Sequence, residues 1–164
     1  MAIAQSLLPE FDHEMQSTRK LLERVPEEDA AWKPHAKSYA LGDLAMHIAQ
    51  LPVWAEMTMQ TSEFDLAAPR DDDRSWKGTQ ALLATFDASV KKARAAIAAG
   101  EDGDFVAPWV LKQGGQEIFS LPRVAVLRSF VMNHVIHHRG QLSVYLRLRD
   151  VPLPEIYGPT ADSQ

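Results

Sequence analysis

Three of the six histidines stand within five residues of the segment Asn133-His134-Val135-Ile136-His137-His138-Arg139-Gly140-Gln141. That segment lies within a longer apolar stretch free of proline, which reads as a helix. Successive helical residues rotate by about 100°, so residues four apart share a face. His134 and His138 therefore project two imidazoles side by side, the arrangement a divalent transition metal takes. Gln141 and Tyr145 continue that stripe. His137, three residues after His134, also shares a face with it, so spacing alone leaves the choice between His137 and His138 open. A third ligand must come from elsewhere. His47 is the leading candidate, on a helical face with Leu44, Leu51 and Trp54. His13 lies among Glu10, Asp12 and Glu14, and His35 follows Pro34 in a loop-like stretch, which makes both weaker choices.

The early Leu-x-x-His47-Ile-Ala segment, the late Asn-His134-x-x-x-His138-Arg-Gly-Gln-Leu segment and the tail from Arg149 to Asp162 together resemble the DinB-like, YfiT-type family of metalloenzymes. The resemblance spans nearly the whole chain. It implies an all-α, antiparallel four-helix bundle holding one divalent ion on three histidines, which fall here on His47, His134 and His138. It also implies chemistry of the kind some members perform, the transfer or isomerisation of small molecules with a low-molecular-weight thiol. On that assignment His137 belongs to flanking packing or to the shell around the ligands.

Three nitrogen ligands leave a tetrahedral ion with an open position, which is a catalytic arrangement. Such an ion lowers the pKa of a thiol or water, or polarises a carbonyl. Zinc or nickel suits the set best, with iron or manganese as further options. Asp43, one turn before His47, is a candidate to orient that imidazole from behind; a carboxylate opposing the helix dipole is the plainer explanation. Gln141, Tyr145 and Trp54 are candidate substrate-lining residues, although packing is the commoner role of a helical tyrosine or tryptophan. Trp109 is a weaker wall candidate. Arg139 turns away from His138 and suits a salt bridge, a dimer contact or an anionic substrate. No general acid or base stands out.

The chain has 164 residues, 46% of them hydrophobic and 24% charged, which fits one soluble domain over residues 1–164. A formal net charge of −5 argues against a nucleic-acid binder. No apolar run is long enough to span a membrane, and the N-terminus lacks the basic start of a signal peptide. The cytoplasm is the expected compartment. With no cysteine, any metal is held by nitrogen and oxygen, and any sulfur nucleophile must arrive as a cosubstrate.

Hydrophobic spacing predicts the elements that must carry these residues. A first helix runs from Ile3 to about Val25, stopped by Pro26. A second runs over about 41–60, capped by Ser38 and kinked at Pro52. A third is capped by Ser75, buries Leu82, Phe86, Val90, Ala93 and Ile97, and closes at Gly100. A last one runs from Pro122 to about Asp150. Residues 62–74 read as a loop, whose run Asp71-Asp72-Asp73 lacks the alternating ligands of a calcium loop. A short β-hairpin is expected around Gly114-Gly115, which lacks the lysine and hydroxyl of a phosphate loop.

Two classes of function follow. One is a metal-dependent enzyme that activates a small thiol, or water as a hydrolase would, toward an electrophilic small molecule. The other is a non-catalytic, stress-associated bundle in which the ion fixes packing. A symmetric homodimer is the expected assembly, since twofold pairs are the commonest homo-oligomers.

Overall fold

The computed structural model describes residues 2–69 and 75–163; the acidic run 71–73 lies outside the described residues. The chain is mostly helical with one small sheet. Helix α1 (Ile3–Leu22) buries Leu7, Phe11, Met15 and Leu22 at the spacing expected of one face. A 3-10 turn (Glu27–Asp29) then leads to α2 (Leu41–Gln50) and α3 (Val53–Gln60). Helices α4 (Thr79–Ala99) and α5 (Asp102–Val106) follow. After the sheet come α6 (Arg123–Ala125), a π-helical segment (Val126–Met132) and α7 (Asn133–Leu148). Both α1 and α2 pack on α4 and on α7, while α3 packs on α4 and the π segment. The main core forms between them from residues such as Phe11, Leu44, Ile48, Phe86 and Leu142.

The four long helices predicted from the sequence differ from this in two places. The second is divided at Pro52, which has no amide to give the Ile48 carbonyl. The Leu51 N–H is shared between the His47 and Ile48 carbonyls at 3.2 and 3.3 Å, and α3 starts afresh at Val53. The last helix is interrupted: between α6 and α7 the turns of Val126–Met132 are wider than α-helical ones. The amide of Asn133 reaches back five residues to Arg128.

Neither Ser38 nor Ser75 caps a helix. The cap positions belong to Ala40 and Gly78, and the Thr79 N–H that opens α4 donates to Glu27 Oε1 at 3.0 Å. Gly100 does close α4, but with φ −74 rather than a left-handed turn. Glycine is needed there for room, since a Cβ would stand 2.6 Å from Met59 Cε and 2.9 Å from Phe105 Cε2.

The expected hairpin is present as β2 (Pro108–Gln113) and β3 (Gln116–Pro122). Gly114 and Gly115 have φ of 57 and 80, the two left-handed positions that a two-residue hairpin turn of the right twist requires. A third strand, β1 (Glu63–Asp65), pairs in parallel with β2 inside the stretch that reads as a loop. It is pinned by the Asp65 carboxylate, which accepts the amides of Gly114 at 2.9 Å and Gly115 at 2.6 Å from the hairpin turn, and that of Ala67 at 2.8 Å. Those three amides, Ala67 foremost, hold the carboxyl below its ordinary pKa.

The sheet covers a second, smaller core of Trp109, Leu111 and Val126, against which Trp54, Phe64, Phe119 and Phe130 pack. Trp109 is fully buried there, and its indole N–H donates to Thr61 Oγ1 at 3.0 Å. Arg123 ties the sheet end to α3 by donating to the carbonyls of Thr58 and Thr61, both at 2.9 Å. No helix among the described residues is long and apolar enough to cross a membrane.

Candidate metal centre

His47 stands in the last turn of α2, and His134 and His138 stand one turn apart at the start of α7. The packing of α2 on α7 brings the three rings together. The available ligand atoms all lie within 4.8 Å of one another. Ring centroids are 4.6 Å apart for His47 and His138, 4.7 Å for His134 and His138, and 5.3 Å for His47 and His134.

The donor set fits a divalent transition ion, which takes imidazoles in their neutral form. Burial pushes the pKa of His134 down, and the neighbouring His138 and His137 push it the same way against a backbone hydrogen bond to Phe130. Burial also lowers His138; the bond to Gln141 opposes that shift and His137 adds to it. His138 Nδ1 lies 2.7 Å from Gln141 Oε1. With the amide oxygen as acceptor, the proton sits on Nδ1 and the Nε2 lone pair is left for a ligand bond, the usual way an outer partner orients a metal-binding histidine.

These lowered values carry a consequence for the metal-free protein. The unfolded chain takes up imidazole protons near the ordinary pKa of 6.5, before the folded chain does. The contribution to stability is thus complete above that pH and is lost as pH falls through the lower folded values. The urea midpoint of metal-free protein should drop between about pH 7 and pH 5. His134→Ala should flatten that drop, and an equally steep fall in the variant would refute the assignment.

The other sequence candidates sit as follows. Asp43 is exposed in the first turn of α2, at the helix end that favours a carboxylate. Tyr145 packs edge-on against Trp32 at 5.8 Å. Trp54 stacks edge-on against Phe64 and Phe130, at 5.3 and 5.2 Å. His137 is exposed, its ring 4.9 Å from that of His138, and it lines an open pocket with Ser129, Phe130, Asn133 and His134. His13 is exposed and stacks on Tyr157 at 6.3 Å, and His35 sits in an exposed loop where its Nδ1 accepts the Lys37 amide at 3.1 Å.

Arg139 is 2% exposed and points away from the pocket. Its Nη2 lies 2.7 Å from Glu14 Oε2 and 2.6 Å from the Tyr157 hydroxyl, and its Nη1 donates to the Glu14 carbonyl at 3.1 Å. The salt-bridge reading of this residue holds, and its partner is on α1. The residue after His138 therefore locks α7 to α1 and to the tail.

Two neighbours escaped the sequence reading. Tyr39 stacks nearly parallel on His47, centroids 5.9 Å apart, and Phe130 lies 5.9 Å from His134. Tyr39 falls in an irregular stretch before α2, where no periodicity marks a facing residue. Phe130 stands four residues before His134, so the spacing that pairs His134 with His138 also reaches it.

The sequence model of the DinB family matches residues 1–163. An uncharacterized protein of Bacillus subtilis (strain 168), YrdA, is 26% identical over 157 residues, covering 94% of this chain and 88% of its own length. Among solved structures, a DinB-like protein from Bacillus cereus ATCC 10987 superposes with a TM-score of 0.71 at 20% identity, over 95% of this chain and 98% of that one. The DinB-like YjoA of Bacillus subtilis gives 0.70 at 18% identity, over 92% and 97%. The last two likenesses are of fold. The match along the sequence itself is what assigns the chain, which belongs to the DinB family.

Proposed function

We propose that the chain binds one divalent transition ion through His47, His134 and His138 and uses it to activate a small thiol toward an electrophilic small molecule. The observation that carries this reading is the convergence of three imidazoles from two separate helices within 4.8 Å, beside an open pocket. A bound ion supplies Lewis acidity, which stabilises a thiolate or hydroxide at neutral pH. Zinc or nickel is the preferred occupant, on three nitrogen donors.

The chain's own residues supply position. Gln141 holds the His138 ring in one tautomer by accepting its Nδ1 proton. Burial lowers the pKa of His134 and of His138, which favours the neutral rings that bind a metal. Phe130 lies against His134 at the pocket wall, and Trp54 backs it. The chain has no cysteine, so the sulfur is brought in as a cosubstrate. In the transfer, the thiol proton passes to solvent and a sulfur–carbon bond forms. The leaving group departs as an anion with the electron pair of the bond it breaks.

The test incubates metal-loaded protein with a panel of cellular thiols and electrophiles, beside the His134→Ala variant. Thiol-dependent turnover that disappears in the variant supports the proposal. Equal turnover in the variant removes it, and hydrolysis that proceeds as well without thiol replaces it with a metal-dependent hydrolase.

A further inference from the structure

The pocket beside the three histidines is built from Ser129, Phe130, Asn133, His134 and His137. The Phe130 ring is held from two sides, by Trp54 at 5.2 Å and 83° and by Phe119 at 5.6 Å and 62°. Trp54 is braced in turn by Phe64 at 5.3 Å. A ring fixed in this way loses little rotamer freedom when something packs on it. A second flat ring is the group it accepts best, in offset or edge-on contact.

Three residues on, Asn133 stands exposed on the same flank of the helix, and its side-chain amide has no protein partner among the described residues. That group offers both a donor and an acceptor. The Ser129 hydroxyl is already used, donating to the Ala125 carbonyl at 2.6 Å. Among the described residues no lysine, arginine or carboxylate lines the pocket, so in the metal-free protein a charged group meets no fixed ion-pair partner in that lining.

We infer that this pocket selects an uncharged substrate with a planar aromatic group, which packs on Phe130, and an amide-like carbonyl, which pairs with Asn133. The inference rests on the proposed function for its meaning as substrate selection, but its test needs neither metal nor turnover. Chelator-treated protein is titrated by calorimetry with benzamide, benzoate and cyclohexanecarboxamide. These probes vary charge and planarity separately.

Benzamide should bind at one site. Benzoate and cyclohexanecarboxamide should each bind several-fold more weakly. Phe130→Leu, which keeps most of the apolar volume but removes the π face, should weaken benzamide by about 3- to 10-fold, and Asn133→Ala by a similar factor. Wild-type thermal unfolding in both variants shows that the fold is kept. Absence of benzamide binding, equal or tighter binding of benzoate, or unchanged affinity in Phe130→Leu each overturns the inference. Because metal is absent throughout, failure here leaves the metal proposal standing, and failure of the thiol assay leaves this result standing.

Discussion

Arg139→Leu is expected to destabilise the protein by about 3–5 kcal/mol, as removal of one partner from a buried ion pair does. The loss is that large because the surroundings are dry and shared. Glu14 is 6% exposed and Arg139 2%. The carboxylate is also bonded by the Tyr157 hydroxyl, at 2.9 and 2.8 Å to its two oxygens, and the guanidinium lies 5.1 Å from the Tyr157 ring centre. Leucine would leave a buried carboxylate without its cation, while α1, α7 and the tail lose their common fastening.

Urea unfolding monitored by circular dichroism reads the effect, and a loss under about 1 kcal/mol would contradict it. A double variant, Glu14→Leu with Arg139→Met, separates the two contributions. Replacing both charges by apolar groups of similar volume is often neutral or stabilising, so the double variant should recover most of the loss.

The second large effect is on metal retention. Alanine at His47, His134 or His138 removes one of the three proposed ligands, and each should weaken binding of zinc or nickel by more than about 100-fold. Gln141→Ala leaves the ligands in place but frees the His138 ring, and should cost about 10- to 100-fold, the usual effect of losing an outer partner. His137→Ala should cost least, since that ring is at the exposed mouth of the pocket. Competition with a chromophoric chelator gives the ranking. Equal losses for His137→Ala and His138→Ala would overturn it.

The residues of the centre were more legible than the frame around them. A pair of histidines four apart survives any helical register, and His47 was singled out by the face it shares with Leu44 and Leu51. The hairpin was legible because a Gly-Gly pair between apolar runs has a definite turn geometry. Strand β1 was not, because three residues are too few to show an alternating pattern; it exists through pairing with a strand far along the chain. The π segment was invisible for another reason. Its composition is that of an ordinary helix, so nothing local marks the wider register. The α4 cap went to Glu27, a distant acceptor, where local reading looks only for a serine nearby. The docking of Tyr157 between Glu14 and Arg139 is likewise a tertiary contact with no local sign.

The parallel pairing of β1 with β2 also bears on the order in which the chain assembles. Hairpin β2–β3 is closed by a two-residue turn and can zip within microseconds. Its partner β1 is separated from β2 by the whole of α4, so the ends of a long loop must meet before a single strand bond is gained. Strand addition therefore waits on the docking of α4 against α1, α2 and α3. Until then β2 presents a bare row of amides and carbonyls to any other chain in the same condition. Refolding yield should thus fall with protein concentration through edge-to-edge association at β2, in a molecule whose finished surface is mostly helix.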